Sequence, residues 1–250
     1  FFIIIYSVWS ASIFFFSLIQ LDLFLNYKKS KTKAKDIILT KFENLPFVTV
    51  QLPIYNEQNV IKRLLDAVVN MDYPSDKIEI QILDDSDDNS TIYVKNLISK
   101  LKSETNLKIN HIIRKNRDGF KAGALKHGLK LAKGNYIAIF DADFIPRSDW
   151  LKKTICGFKD PKIGVVQTKW NPINKNFSLL TKIQAFALDI HFTLEQVGRS
   201  FNNYFLNFNG TAGIWRKEAI INSGNWNGDT LTEDLDLSYR AQLRGWKIRY

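Results

Sequence analysis

From Phe47 to Phe140 the chain alternates between two hydrophobic periodicities, and that alternation admits one broad architecture. The runs Phe47–Leu52, Ile78–Leu83, Leu107–Ile113 and Tyr136–Phe140 are short and rich in β-branched residues, the pattern of strands. Between them, Glu57–Val69, Thr91–Ser103 and Lys121–Ala132 carry apolar residues at helical spacing. Such alternation builds a mostly parallel α/β sheet with helices on both faces. Ile163–Gln167 predicts a further strand and Leu179–Gly198 a long helix. Ligands in sheets of this class sit beyond the carboxyl ends of the strands. The polar clusters fall there. Asp84-Asp85 ends the second strand and Asp141-Ala142-Asp143 the fourth.

Ahead of the sheet, Phe1–Leu21 is almost wholly apolar or small, with Gln20 its first strongly polar side chain. A helix of that length measures about 30 Å, the thickness of a bilayer core. The basic start and small-residue cleavage site of a signal peptide are missing from it. A transmembrane helix over residues 1–25 is therefore expected, with a buried core helix as the other reading. Lys28, Lys29, Lys31, Lys33, Lys35 and Lys41 follow in a basic juxtamembrane linker, residues 26–46. By the positive-inside tendency they place residues 47–250 on the cytoplasmic side of a membrane, either a cell's inner membrane or one of Golgi type. The net charge of +10 is concentrated at this border, which argues against a nucleic-acid partner. The chain starts at a phenylalanine and stops in a polar-aromatic run, so the domain is expected to be cut short at its C-terminus.

One cysteine, Cys156, and three scattered histidines leave carboxylates as the ligands for any metal chemistry. In extended backbone Asp141 and Asp143 project to one side. Two carboxylates facing a diphosphate can hold Mg2+ or Mn2+, which keep waters and take phosphate oxygens; a solvated turn is the plainer alternative. Asp84-Asp85-Ser86-Asp87-Asp88 exceeds the needs of one helix cap at Asn89 or Ser90, and its mutual repulsion calls for a cation or for hydrogen-bond donors. Arg114, Arg117, Gly119, Lys121 and Gly123 form a basic turn at a helix start, suited to phosphate but without phosphate-loop spacing. Thr232-Glu233-Asp234 reads by itself as a helix start, with Thr230 or Thr232 as cap and acids in the first turn.

Taken in order, these clusters resemble the family 2, cellulose-synthase-like glycosyltransferases. The resemblance runs through Pro53-Ile54-Tyr55-Asn56-Glu57, Leu83-Asp84-Asp85-Ser86, Gly119-Phe120-Lys121-Ala122-Gly123-Ala124-Leu125 and Phe140-Asp141-Ala142-Asp143. It continues through Val166-Gln167-Thr168-Lys169-Trp170, Phe208-Asn209-Gly210-Thr211-Ala212-Gly213 and Leu231-Thr232-Glu233-Asp234-Leu235. The wording is most similar to the mannan synthase and xyloglucan-backbone glucan synthase branches and their bacterial relatives. The resemblance implies a GT-A fold, a nucleotide-diphosphate-sugar donor carrying UDP or GDP, and inverting transfer of a hexose to a growing β-linked polysaccharide. It implies that Tyr55, Glu57, Asp84 and Asp85 bind the donor, with Asp85 at the base, and that Lys121 binds the diphosphate. Asp141 supports the nucleotide and shares with Asp143 the Mg2+ or Mn2+. Asp234 is the general base, and Asn209, Gly210, Thr211, Trp170 and Glu233 line the acceptor. The family's Gln-x-x-Arg-Trp motif belongs beyond Tyr250; Gln242-Leu243-Arg244-Gly245-Trp246 has similar letters at the wrong spacing. Two alternatives stay open: a single transfer to a membrane lipid, and a catalytically silent membrane scaffold.

Overall fold

The computed structural model describes residues 1–33 and 44–250, which divide into two compact units. The larger unit, residues 44–168 and 207–249, contains a seven-stranded sheet. Its strands are β1 (Val48–Ile54), β2 (Ile78–Asp84), β3 (Lys108–Ile113), β4 (Tyr136–Ile139), β5 (Ile163–Gln167), β6 (Gly213–Arg216) and β7 (Lys247–Arg249). Their order is β3-β2-β1-β4-β6-β5-β7. Every neighbouring pair is parallel except those made by β6, which runs antiparallel to both β4 and β5. The expected mostly parallel sheet is present, and the expected strands are shifted by no more than two residues at an end.

The helices of this unit are α2 (Gln58–Val69), α3 (Ser90–Glu104), α4 (Phe120–Leu131), α5 (Trp150–Ile155), α8 (Lys217–Asn222) and α9 (Glu233–Leu243). In α2 the buried residues Ile61, Leu64, Leu65 and Val68 recur at three- and four-residue spacing, which makes one apolar stripe against the sheet. β1 and β2 are buried throughout, yet each carries polar residues at alternate positions. Thr49 donates to Glu79 at 2.8 Å and the Gln51 amide to Gln81 at 3.0 Å, so these side chains pair with one another inside the protein. The backbone N–H groups of Lys133 and Gly134 cover the same stripe, donating to Glu79 and Thr49.

At the carboxyl end of β2, His111 on β3 lies 2.8 Å from the fully buried Asp84 carboxylate. Burial alone would raise this carboxyl, but the hydrogen bonds from His111 and Ser86 outweigh it and hold Asp84 below the usual range.

Two of the expected helix caps make no side-chain cap bond: Asn89 and Thr232 stand at the N-cap positions of α3 and α9. At α3 it is the Asp88 carboxylate that accepts from Ser90 N–H, at 2.8 Å. This i to i+2 contact is an Asx turn, which places the carboxylate of Asp88 on the first free N–H of the helix.

The smaller unit comprises α1 (Phe2–Lys33), residues 169–206 and Tyr250. Among the described residues α1 is the one helix long and apolar enough to cross a membrane, over Phe2–Lys31, and its most apolar window is unburied. The helix runs on to Lys33, so the first part of the expected linker is helical; lysine favours helix and nothing there breaks it. Residues 34–43, including Lys35 and Lys41, lie outside the described residues. The end of α1 packs through Leu23 and Asn26, where Gly198 leaves so little room that a Cβ would come within 2.6 Å of the Leu23 carbonyl oxygen. The expected long helix starts at Leu179, capped by Ser178 and Thr181. It proceeds as α6 (Leu179–Ile190), a π-helical stretch His191–Gln196 and α7 (Val197–Phe201).

Gly134→Ala would set a methyl 2.5 Å from the Thr49 backbone nitrogen. We expect a loss of about 1–3 kcal/mol, read from the denaturation midpoint. For His111→Leu the expected loss is about 2 kcal/mol at neutral pH, the worth of a hydrogen bond to a charged group. The folded Asp84 binds its proton less readily than the unfolded one. Its stabilisation is therefore present above the ordinary carboxyl pKa and disappears as pH falls through the folded value. The gap between wild type and His111→Leu should accordingly close on acidification below about pH 4. A gap independent of pH would exclude this role for the pair.

Candidate functional site

The carboxyl ends of β1, β2 and β4 open on one cavity of about 360 Å³, lined by Tyr55, Glu57, Asp85, Arg117, Lys121, Asp141 and Asp143 among others. Each side chain arrives by a short local route. Tyr55 and Glu57 follow β1, with Asn56 between them at φ +57, a left-handed turn that asparagine tolerates. Asp85 follows β2. Lys121 sits in the first turn of α4, whose N-cap Gly119 has φ +69. Gly123, one turn on, is required to be small, because a Cβ there would lie 1.9 Å from the Asp118 carbonyl oxygen.

The acidic run after β2 is satisfied by donors, one set for each acid. Asp84 is held by His111 and by Ser86 N–H. Asp85 takes a two-pronged ion pair from Arg114, with Nε at 2.8 Å. Asp87 accepts from the Tyr55 hydroxyl at 3.0 Å and from the Asn56 amide at 2.8 Å. The Asp87 bond raises the Tyr55 hydroxyl and, with Asn56, holds Asp87 low. Of the two aspartates expected at the donor, Asp85 lines the cavity, whereas Asp84 is turned into the sheet and lies outside the lining. The basic turn divides in the same way. Arg114 is committed to Asp85 and to the carbonyls of Asp118 and Phe120. Arg117 stacks on the Tyr55 ring at 3.3 Å. Lys121 reaches the cavity floor.

Lys121 Nζ lies 2.5 Å from Asp141, 3.9 Å from Glu233 and 3.1 Å from the Gly210 carbonyl oxygen, to which it donates. It therefore joins the strand carrying Asp141 to the first turn of α9 and to the segment before β6. Asp234 belongs to the same cluster. A Cβ on Gly210 would stand 3.1 Å from Asp234 Oδ2 and 3.4 Å from Lys121 Nζ, so this glycine keeps open the space between the two. Burial raises the Asp141 carboxyl, and Asp143 and Asp234 add to the effect against the pull of Lys121. Glu233 is raised by burial too, with Lys121 opposing and Asp234 and Asp141 assisting. Glu57 is raised by burial and then by Asp143 and Asp141. Perturbed acids gathered at one cleft mark a candidate site.

Among the described residues no three His, Cys, Asp or Glu side chains close into a metal cage. Asp141 and Asp143 nevertheless suit a hard divalent cation that draws its other ligands from water and phosphate. Burial and acidic neighbours push the Asp141 carboxyl upward, and such an ion would offset both.

The residues expected at the acceptor are differently disposed. Gly210 faces Asp234 and Lys121. Thr211 is buried, and its hydroxyl accepts from Asp141 N–H at 3.0 Å, so it braces the backbone at Asp141. Asn209 donates its N–H to Gln167 Oε1 at 2.9 Å. Trp170 lies in the smaller unit, its ring edge-on to Phe192 at 5.1 Å. Gln167 and Ser238, which join the Phe208–Ala212 segment to its surroundings, escape sequence reasoning; an amide at the very end of an otherwise apolar strand is the signal that could have found the first.

The sequence model of glycosyl transferase family 2 matches residues 49–222. Over 209 residues the chain is 44% identical to the probable glucomannan 4-beta-mannosyltransferase 2 of Oryza sativa subsp. japonica, covering 82% of this chain and 36% of that one. Over 211 residues it is 44% identical to glucomannan 4-beta-mannosyltransferase 2 of Arabidopsis thaliana, covering 83% and 40%. The chain thus spans well under half the length of these plant relatives. Among solved structures, the mannosyltransferase PcManGT from Pyrobaculum calidifontis, in complex with GDP-Man and Mn2+, superposes with a TM-score of 0.68. It is 24% identical, and the match covers 91% of this chain and 61% of that one. S. aureus TarS in complex with UDP superposes at 0.59 with 17% identity, covering 81% and 56%. The larger unit has the GT-A fold that the sequence implies, and the chain belongs to glycosyl transferase family 2.

Proposed function

We propose that the protein transfers a hexose, with inversion, from a nucleotide-diphosphate-sugar to a growing β-linked polysaccharide, on the cytoplasmic side of a membrane that α1 crosses. The observation that carries this reading is the meeting of Asp234 and Lys121 across Gly210, beside Asp141. One base, one cation and one metal-binding carboxylate pair are what an inverting transfer needs.

In the reaction the acceptor hydroxyl gives its proton to Asp234 while its oxygen bonds to the anomeric carbon. The bond from that carbon to the diphosphate breaks on the opposite face, and the electron pair leaves with the diphosphate. Lys121 attracts the charge that develops there. Asp141 and Asp143 would hold Mg2+ or Mn2+, which would supply Lewis-acid neutralisation of diphosphate charge. No second carboxylic acid is required, in contrast to glycoside hydrolysis. Tyr55, Glu57 and Asp85 serve the nucleoside at the cavity, and Gly210 and Glu233, both at Lys121, serve the acceptor together with Asn209. Between UDP-glucose and GDP-mannose we favour GDP-mannose, because the curated relatives carry mannosyltransferase names. The lysines that follow the apolar stretch of α1 support the cytoplasmic placement.

Asp234→Asn in the full-length protein is expected to lower labelled-sugar incorporation at least about 100-fold while donor-nucleotide binding persists. Undiminished incorporation would remove Asp234 as base. Mn2+ with GDP should raise the melting temperature of wild type, since a ligand that binds only the folded state stabilises it. Asp143→Asn should abolish most of that rise. An equal rise in both proteins would detach the metal from this pair.

A further inference from the structure

The segment Phe208–Ala212 runs beside Asp234 and Asp141 in a conformation that it would not hold alone. Gly210 has φ +73 and Ala212 φ +52. Left-handed backbone at an alanine persists only where the surroundings over-determine it. We infer that Gln167 and Ser238 are positioning residues for sugar transfer, holding this segment from two sides so that Asp234 and Asp141 stay in register. The inference rests on the transferase reading and extends it to residues that touch no reacting atom.

Gln167, at the end of β5, is 1% exposed. Its Oε1 accepts from Asn209 N–H at 2.9 Å. Its Nε2 donates to the carbonyls of Thr168 at 3.0 Å and Thr211 at 3.1 Å, with Ala212 O at 3.4 Å. One amide thus grips both ends of the Asn209–Thr211 turn. Ser238 supplies the other side, from the second turn of α9. Its hydroxyl accepts from Phe208 N–H at 2.9 Å and donates to the Asp234 carbonyl at 2.6 Å, so it ties the segment to the backbone of Asp234 itself. It is fully buried. The held segment passes the constraint on: Thr211 Oγ1 accepts from Asp141 N–H, and Gly210 O accepts from Lys121. Side chains that satisfy buried backbone groups so fully fix geometry more sharply than apolar packing does. A core that needed only bulk at these two positions would not place every polar atom of both side chains on one short segment.

The test compares Ser238→Ala and Gln167→Leu with Gly134→Ala, a destabilised control remote from the cavity, all in the full-length protein and well below each melting temperature. In Ser238→Ala the Phe208 amide should exchange its hydrogen at least about tenfold faster than in the control, as a locally opened segment does. In Gln167→Leu the same holds for Asn209. Both variants should lose about 100-fold in kcat, the cost of a small misplacement at the reacting centre. Their affinity for GDP with Mn2+ should match wild type. The inference is overturned if either variant keeps the kcat of Gly134→Ala, or if exchange in the segment stays slow. Ser238→Ala removes a single oxygen and keeps the question answerable should Gln167→Leu not fold. Wild-type protein that transfers no sugar would defeat the transferase reading first, and this inference with it, whereas an active wild type beside active variants defeats this inference alone.

Discussion

The ammonium group of Lys121 is the point on which the site is assembled. It meets Asp141, Glu233 and the Gly210 carbonyl, which come from a strand end, a helix start and a loop far apart in sequence. Opposite charges in a partly buried cleft attract more strongly than in water, so one cation can draw these elements together. It does not neutralise them. Asp141 and Glu233 both remain raised despite its pull, because burial and their acidic neighbours outweigh it. The site therefore stands short of positive charge, and a divalent cation arriving with a diphosphate is the complement it lacks.

Sheet topology brings the parts to that point. β2 and β3 lie on one side of β1 and β4 on the other, so the chain reverses its direction of growth between β1 and β4. Crevices at such reversals receive ligands in open α/β sheets. The antiparallel β6 adds the second half. Its first residue, Gly213, pairs with Ile139 at the end of β4 and with Gln167 at the end of β5. Whatever precedes β6 must then lie where β4 and β5 finish. The Phe208–Ala212 segment, Asp141 and Gln167 are neighbours for that reason alone, before any side-chain interaction is considered.

Much of this was legible in the chain. Strand ends follow from β-branched runs bounded by polar residues, and Asp85, Asp141 and Asp143 fall at such ends. Asp84 shows where that reasoning stops. It precedes Asp85 by one residue, and neighbouring residues of a strand face opposite ways, so one aspartate entered the cavity and the other the sheet. No periodicity states which, because the partner that decides it, His111, comes from another strand. The acids near α3 looked in need of a cation for the same reason: their donors, Arg114, Tyr55 and Asn56, are distant in sequence. Gln167 stood within a family-like run but was given no role of its own, and Ser238 was passed over in a helix whose first-turn acids drew attention to the cap.

The energetic character of the site separates its two kinds of polar residue. Glu79, Gln81, Thr49 and Asp84 are buried and paired, and such groups serve the fold. Glu57, Asp141 and Glu233 are pushed toward protonation by their surroundings, so at neutral pH each ionises at a cost to the folded state. A sheet of this size has no structural use for that cost. That the chain nevertheless gathers Asp141 and Glu233 around one lysine, and adds strained backbone at Ala212, is intelligible when further positive charge comes with the ligand. A silent scaffold would have no need to gather Asp141, Glu233 and Glu57 in one cleft against their mutual repulsion. The retained charge is thus an argument for chemistry, independent of any likeness to other proteins.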